Sequence, residues 1–447
     1  GGAGKVMDFV ASGTLPNGVP VLLKADGTVE VVLQTGTPIT ESIPAGSEVV
    51  FNAASTNPTA TAFDPNTANK FIIAYPDGNN GGYGTAIVGT VSGTTISFGS
   101  EYVFRSGNLG SISVSFDPNS AGKFVVGYTD AGTSHLGTAI VGTVSGTTIS
   151  FGSAYVFNSA ITSFTSVAFD PNTANKFVVA YRDSGNANFG TAIVGTVSGT
   201  TISFGSEYIF RSAAAGASKV AFDPNTANKF VVGYTDDSVS YRGKGVVGTI
   251  TGTSLSFGTP ATFNTGTTYD LTLAFDPNTA NKFVVAFQDS GNSSYGTTRA
   301  GTVSGTTISF GSEYVFNSAS TGIVYVAFDP NTANKFVVAF RDGGNLNRGK
   351  VMVGTLSGTT ITFGSEYTFN SGATYGISPA FDYNTTGKFV VTYKDNGNSE
   401  YGTAIVGQMA STEYTTNLTT TNFVGITSKA IADTATGSIT LQGGVST

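Results

Sequence analysis

Hydrophobic and polar residues alternate in short runs along most of this chain, and these runs predict β-strands. In TISFGSEYVF, which starts at Thr95, one parity is mostly apolar or aromatic and the other is mostly polar or glycine. A period of two is typical of a strand with one covered face and one exposed face. The run KFIIAY from Lys70 is apolar on both faces, which indicates a strand buried between neighbouring sheets.

These runs belong to a unit of 53 residues that recurs without insertion. Its FDPN-type motif begins at Phe63, Phe116, Phe169, Phe222, Phe275, Phe328 and Phe381. One unit contains four predicted strands, which we call A (ending in VAFD), B (KFVVAY), C (GTAIVGTV) and D (TTISFGSEYVF). DPNTAN predicts the A–B turn and SG the C–D hairpin. Four antiparallel strands at this period predict an all-β fold, a seven-bladed β-propeller.

The first predicted D strand has no A, B or C strand before it. GSEVVFN from Gly46 matches GSEYVFR from Gly99, again 53 residues apart, whereas the last copy (373–409) supplies A, B and C without D. We therefore predict that the N-terminal strand completes the last blade. Sharing one sheet between the two ends closes the ring and removes exposed strand edges.

Two segments, 1–38 and 410–447, lie outside the repeat, and 39–409 form the predicted propeller. Each end segment contains strand-like runs, the first around an ADGT turn and the second around a glycine-rich turn. Strand direction brings both ends of the propeller to the side of the A–B and C–D turns. We therefore predict that the two ends pair into one small β module, with the propeller inserted between its halves.

Composition and charge restrict the chemistry. The chain has no cysteine, which removes disulfides, thiolate metal ligands and cysteine nucleophiles. Its net charge of −7 argues against a nucleic-acid partner. No apolar run approaches the roughly 20 residues that a helix needs to cross a bilayer. We predict no cofactor and no membrane insertion.

Comparison of the seven copies separates constant from variable positions. The A–B and C–D turns are nearly uniform, whereas the B–C loops and the D–A connections differ between copies. Both variable sets are predicted to lie at one end of the blades, opposite the termini. We call this end the variable face and predict that it binds a ligand while the end module anchors. Neutral drift of exposed loops is the competing interpretation.

The variable face carries aromatic and charged side chains that suit sugar stacking or protein contacts. The candidate residues are Arg105, His135, Phe164, Arg211, Lys219, Tyr241, Arg242, Tyr269, Asp270, Tyr325, Arg348 and Tyr375. His135 is the only histidine and has no motif around it, so neither a Ser–His–Asp triad nor a multi-histidine zinc site is predicted. Asp270 has no partner carboxylate for glycoside hydrolysis. We therefore predict a protein that is not an enzyme.

Seven aspartates follow strand B in the pattern Y/F-x-D: Asp77, Asp130, Asp183, Asp236, Asp289, Asp342 and Asp395. They faintly resemble the S-x-D-x-G-x-x-W boxes of some sugar-active propellers, without the tryptophan. One interpretation is a calcium or sugar contact in each blade. The favoured interpretation is an aspartate that accepts hydrogen bonds from its own loop amides. A second aspartate at each A–B turn, from Asp64 onward, precedes a lysine by six residues, and we predict that the two pair or pack across the hairpin.

The two ends carry a resemblance to a known class of protein. NGVPVLLKADGTVEVV and FVGITSKAIADTATGSITLQGGV resemble small β modules of tailed-phage virion proteins, especially decoration and fibre-like proteins of marine phages. The repeat GTVSGTTISFGSEYVFNS also resembles repeats in such proteins.

The resemblance implies a virion structural protein, either a capsid decoration protein or a tail-fibre attachment component, present in many copies on the virion surface. Other virion proteins would be partners through the end module, and a host surface glycan or protein would bind the variable face. The alternatives are a secreted or cell-surface lectin-like propeller and a bacterial surface filament subunit.

Overall fold

The structure is a computed structural model that describes residues 6–416, 423–427 and 436–440. Over these residues the chain is almost entirely β-strand, with four single-turn 3-10 helices and no α-helix. The predicted C-terminal strand and turn residues at 417–422, 428–435 and 441–447, like residues 1–5, lie outside the described residues. The prediction of an all-β fold built from repeated antiparallel strands is confirmed.

The strands follow the chain in three groups. Before the repeats lie β1 (Val6–Val10), β2 (Pro20–Leu23), β3 (Val29–Val31) and β4 (Gln34–Ile39). The repeats contain β5 (Val49–Ser55), β6 (Ala60–Phe63), β7 (Lys70–Asp77), β8 (Tyr83–Ser92), β9 (Thr95–Phe116), β10 (Lys123–Asp130), β11 (Leu136–Ser145), β12 (Thr148–Phe169), β13 (Lys176–Asp183), β14 (Phe189–Ser198), β15 (Thr201–Phe222), β16 (Lys229–Asp236), β17 (Arg242–Thr251), β18 (Ser254–Phe257), β19 (Ala261–Phe275), β20 (Lys282–Asp289), β21 (Tyr295–Ser304), β22 (Thr307–Asn317), β23 (Thr321–Phe328), β24 (Lys335–Asp342), β25 (Arg348–Ser357), β26 (Thr360–Phe381), β27 (Lys388–Asp395) and β28 (Tyr401–Gln408). After them come β29 (Ser411–Thr416), β30 (Phe423–Thr427) and β31 (Thr436–Thr440). The 3-10 helices are Gly78–Asn80, Ala131–Thr133, Asp237–Val239 and Ser290–Asn292.

The chain divides into two compact units, a terminal unit formed by 1–40 and 410–447 and a repeat unit formed by 41–409. In the terminal unit, strands from the two ends of the chain pair with each other. Five strands form an antiparallel sheet in the order β1-β31-β30-β2-β3, and β4 pairs with β29. In the turn between β2 and β3, the Asp26 carboxylate accepts the backbone N–H of Thr28 at 3.0 Å.

In the repeat unit, strands A to D pair in order as antiparallel sheets, and only the last copy lacks a D strand of its own. In the first copy, β6, β7, β8 and the first half of β9 pair in that order. The second half of β9 then pairs with β10 as strand A of the next sheet. Four strands of 22 residues (β9, β12, β15 and β26) span two sheets in this way.

The D–A connections in those four strands are therefore extended backbone and not the loops that the sequence comparison assumed. The reason is local. A register shift between Ser163 and Ser166, around Phe164 at a φ of 56°, bends the chain without ending the strand.

Strand B is buried because neighbouring sheets cover both of its faces. In the first copy, Ile72 and Ile73 point to opposite faces of the strand and are both 0% exposed. The Phe71 ring packs directly on the backbone of Gly89 in strand C, and a Cβ at that glycine would lie 2.1 Å from the ring. Phenylalanine and glycine recur at these two positions in every copy, so the same packing holds every sheet together.

The N-terminal strand of the repeat unit completes the last sheet. β5 pairs antiparallel with β28, and Phe51 packs against Tyr75 at 5.1 Å and Phe98 at 5.9 Å between ring centroids. The prediction that this strand supplies the missing D strand is confirmed. The A strands of all the copies line one central cavity of about 380 Å³, which is largely ringed by the Phe and Pro side chains of the FDPN motifs.

Candidate recognition face

The B–C loops share one backbone conformation although their sequences differ. Every loop ends in two consecutive residues with positive φ, for example His135 at 61° and Tyr241 at 56° as the second of the pair. Only the first copy uses two glycines there, Gly81 and Gly82. Non-glycine residues are uncommon in this left-handed region, so the residue types at these positions do not predict it. The side chains of His135 and Tyr241 are both exposed at these loop ends.

An aspartate at the end of strand B fixes the base of each loop. Asp77 is only 6% exposed, and its carboxylate accepts the backbone N–H of Asn79 at 3.0 Å and the side-chain amide of Asn52 at 2.9 Å. A backbone N–H two residues later is likewise bound by Asp130, Asp183, Asp289, Asp342 and Asp395. Asp236 instead accepts the hydroxyl of Ser238 at 2.6 Å. These contacts support the interpretation of the seven aspartates as structural hydrogen-bond acceptors over the alternative of a calcium or sugar contact in each blade.

A second donor lies 25 residues before each of these aspartates. It is Asn in five copies and Arg in two, Arg105 and Arg211. The Nε of Arg105 lies 2.8 Å from a carboxylate oxygen of Asp130, and Nη2 of Arg211 lies 3.0 Å from one of Asp236. These two predicted face residues therefore have their charge paired inside the scaffold.

Asp236 has the most strongly paired carboxylate of the set. It is fully buried, and Lys244 adds a second cation at 2.9 Å. Burial alone would raise the pKa of Asp236, but the hydroxyl of Ser238 and the charges of Lys244 and Arg211 outweigh burial and lower the pKa. This carboxylate is held ionised as part of the scaffold.

Tyr241, Arg242 and Tyr269 form an exposed patch at the fourth B–C loop. The two tyrosine rings are 5.9 Å apart between centroids and are 43% and 45% exposed. A backbone hydrogen bond of 2.9 Å from Thr268 to the carbonyl of Tyr241 holds the two segments side by side. The sequence placed all three of the patch residues on the variable face; the structure brings the two tyrosine rings together, and the exposed Arg242 follows Tyr241 in the chain.

Phe164 and Asp270 occupy equivalent bulges in strand A, with φ of 56° and 48°. Phe164 is 43% exposed and lies apart from the tyrosine patch, in the third copy. The Asp270 carboxylate accepts the backbone N–H of Ile323 in the next copy at 2.9 Å. Asp270 therefore links two copies, and Phe164 is the more available of the two for contact with a ligand.

The remaining face candidates contact other side chains or backbone. Tyr375 lies 4.7 Å from the Arg341 guanidinium and 5.4 Å from the Lys394 ammonium, measured from its ring centroid. Arg348 donates to the carbonyl of Ser371 at 3.3 Å. The sequence comparison overlooked Arg341 and Lys394. Their position, the x of Y/F-x-D, is the one that varies most in an otherwise constant strand, and that variation was the signal.

At the A–B turn end of the sheets, the predicted ion pairing between aspartate and lysine is wrong, and their packing across the hairpin stays a prediction. Among the described residues, the lysines that follow the A–B turns form no ion pair with the aspartates six residues before them. Lys70 donates to the hydroxyl of Thr90 at 2.7 Å, and Lys123 donates to the carbonyl of Gly199 at 2.8 Å. A backbone hydrogen bond joins the two positions, as in the 2.8 Å bond from Asp64 N–H to the Lys70 carbonyl.

Two absences hold within the described part of the chain. Its His, Asp and Glu side chains form no group of three or more that could hold a metal ion. No helix among residues 6–416, 423–427 and 436–440 has the length and apolar character needed to span a membrane.

No protein-family model matches the sequence, and no curated protein matches it. The structure is similar to the crystal structure of a protein from Lactobacillus plantarum that was a structural genomics target. The two share 12% sequence identity with a TM-score of 0.52, and the match covers 72% of this chain and 88% of that chain. At this identity the likeness shows the fold alone.

Proposed function

We propose that the copies of the repeat are the blades of a single seven-bladed β-propeller, closed through β5. Two observations support this. β5 pairs with β28 across the two ends of the repeat unit, and strand A of every copy lines one central cavity. Closure of this kind leaves no long unpaired strand edge.

We further propose that this propeller is a non-enzymatic recognition module whose variable face binds a surface glycan or protein. The observation that carries the proposal is the exposed patch of Tyr241, Arg242 and Tyr269. The paired carboxylate of Asp236 lies at the base of the same loop. Amphipathic aromatic rings beside an arginine are typical of contact hot spots. The aspartates after strand B and at the A–B turns support a structural role, because carboxylates such as those of Asp77 and Asp64 accept N–H donors within the scaffold.

The setting that we propose is a virion, on which the chain is a capsid decoration or tail-fibre component at the surface. The resemblance of the two end segments supports this setting. The terminal unit would bind other virion proteins, and the variable face would meet the host. A shallow patch binds weakly by itself, so many copies on one particle would supply the affinity.

The experiment is binding of the full chain to a glycan array and to glycoproteins, compared with the double variant Tyr241→Ala/Tyr269→Ala. Tyr383→Ala is the matched control, because Tyr383 is a 49% exposed tyrosine at the A–B turn end of the sheets. We expect the double variant to weaken binding about tenfold or more and the control to leave it unchanged. Binding that the double variant leaves intact, or no binding by the wild type, would overturn the proposal.

A further inference from the structure

One position of strand A lines a central channel in every copy. The side chain at this position differs in size from copy to copy. Its occupants are Ala60, Ser113, Ser166, Lys219, Thr272, Tyr325 and Ser378, each 53 residues after the last. Five of these side chains are small, and only Lys219 and Tyr325 are long. All seven line a second cavity of about 170 Å³. The fourth and sixth copies therefore depart from the repeat at the same level of the channel.

The two long side chains meet although their strands are not neighbours. The Lys219 ammonium lies 5.4 Å from the centroid of the Tyr325 ring, past Thr272 of the copy between them. No Asp or Glu lines this cavity, and Lys219 has no carboxylate partner within the described part of the chain. The channel thus holds one positive charge that is not neutralised by a carboxylate.

The small polar residues around Lys219 have hydrogen atoms left to donate. Each hydroxyl accepts a backbone N–H from the next copy: Ser113 from Val167 at 3.0 Å, Ser166 from Val220 at 3.1 Å, Thr272 from Val326 at 3.0 Å and Ser378 from Thr61 at 3.1 Å. A hydroxyl that accepts still has its own O–H to give. Among the described residues these four hydroxyls donate to no acceptor.

We propose that this cavity binds a small oxyanion such as phosphate, sulfate or a carboxylate. Lys219 would supply the charge, and Tyr325 with the serine and threonine hydroxyls would supply neutral donors. Charge-assisted hydrogen bonds are stronger than neutral ones, and they strengthen further where protein excludes water. A cation would be repelled by Lys219, and an apolar ligand would leave the hydroxyls without acceptors. The site uses Lys219 and Tyr325, which the sequence assigned to the variable face, but none of the residues of the tyrosine patch, and it requires no virion role.

The test is isothermal titration calorimetry of the full chain with inorganic phosphate, then with sulfate and with acetate, at constant ionic strength. We expect saturable binding of one anion per chain. Lys219→Met should weaken it about tenfold or more. Tyr325→Phe, which keeps the ring and loses the hydroxyl, should weaken it by a smaller factor.

The matched control is Lys335→Met, which removes the same charge at the A–B turn end, where Lys335 donates to Thr355 at 2.8 Å. This variant should bind phosphate as the wild type does. An equal loss in both lysine variants, or full affinity in Lys219→Met, would overturn the proposal. The wild-type titration decides the matter even if a variant does not fold, because a chain that binds none of the three anions contradicts the proposal.

Discussion

The carboxylate of Asp64 accepts the backbone N–H of Gly122, in the next repeat, at 3.0 Å. Its other oxygen accepts the N–H of Asn66 within its own turn at 2.9 Å. The same link to the next copy recurs in the pairs Asp117–Asn175, Asp170–Asn228, Asp276–Asn334 and Asp329–Gly387. The DPN motif is therefore both a turn and a joint between repeats.

The hydrogen bond between repeats predicts that two equivalent aspartates contribute differently to the free energy of unfolding. Asp170 and Asp223 are both fully buried, but Oδ2 of Asp223 has no hydrogen-bond partner among the described residues, whereas Oδ2 of Asp170 binds Asn228. Asp170→Ala should cost about 2–4 kcal/mol of unfolding free energy, and Asp223→Ala about 1–2 kcal/mol. Chemical denaturation measures both. Equal losses would show that the joint contributes nothing.

The pairing of β5 with β28 predicts that two equivalent phenylalanines contribute equally to stability. Phe51 and Phe104 occupy the same position of strand D and are 6% and 9% exposed. Each packs on a strand B tyrosine, at 5.1 Å and 5.5 Å between ring centroids. Phe51→Ala and Phe104→Ala should each cost about 3–5 kcal/mol. A much smaller loss for Phe51→Ala in the same denaturation experiment would show that β5 is not an integral part of the last sheet.

One copy lacks the glutamate that accepts a hydrogen bond from the strand B tyrosine in the first copy, and restoring it should stabilise the fold. The hydroxyl of Tyr75 donates to Glu101 at 2.7 Å, and burial together with this contact raises the pKa of Tyr75. The equivalent Tyr128 hydroxyl is buried without a partner in the described structure, because Ala154 stands where the glutamate would be. Ala154→Glu should therefore stabilise the fold by about 1 kcal/mol.

The control for this substitution is a double-mutant cycle. In a Tyr128→Phe background the hydroxyl is gone, so Ala154→Glu should bring no gain in melting temperature or unfolding free energy. A gain of the same size in both backgrounds would mean that the new glutamate acts through something other than Tyr128.

The lowered pKa of Asp236 predicts a dependence of stability on pH. Because the folded pKa lies below the unfolded value of about 4, the paired carboxylate stabilises the fold above that pH, and the contribution is lost as pH falls through the folded pKa. The substitution Lys244→Met should therefore lower the free energy of unfolding more at about pH 7 than at about pH 2.

Lys350→Met is the matched variant for this test, because Lys350 holds the equivalent position but pairs with the partly exposed Glu366. A partly exposed pair contributes less to stability, so its loss should change little with pH. Unfolding free energies measured across the pH range compare the two. The same pH dependence in both variants would contradict the role assigned to Asp236.

Much of the fold follows from the sequence because each turn and strand signal is repeated with constant spacing. The match between Gly46 and Gly99 was enough to place β5 against the last copy, since a lone D strand has one sheet left to complete. The Asp77 contacts also follow from local rules, because a short acidic side chain at the start of a loop accepts the nearby N–H.

Other features could not be predicted, because they depend on residues that are far apart in the sequence or on a backbone conformation that the residue type does not indicate. Arg105 was assigned to recognition, whereas its pairing with Asp130 depends on two strands meeting 25 residues apart. The positive φ of Tyr241 lies in a conformation that its residue type does not signal. The contact between Lys219 and Tyr325 joins copies that are not adjacent, so no local pattern reports it.

We propose that the terminal unit anchors the chain and that the variable face binds a ligand. Cryo-electron microscopy of particles from the source material tests it most directly. We predict the chain in many copies on a virion, with the terminal unit against the particle and the patch of Tyr241 and Tyr269 open to solvent. A chain found free of particles, or with that patch buried against a neighbour, would contradict the claim.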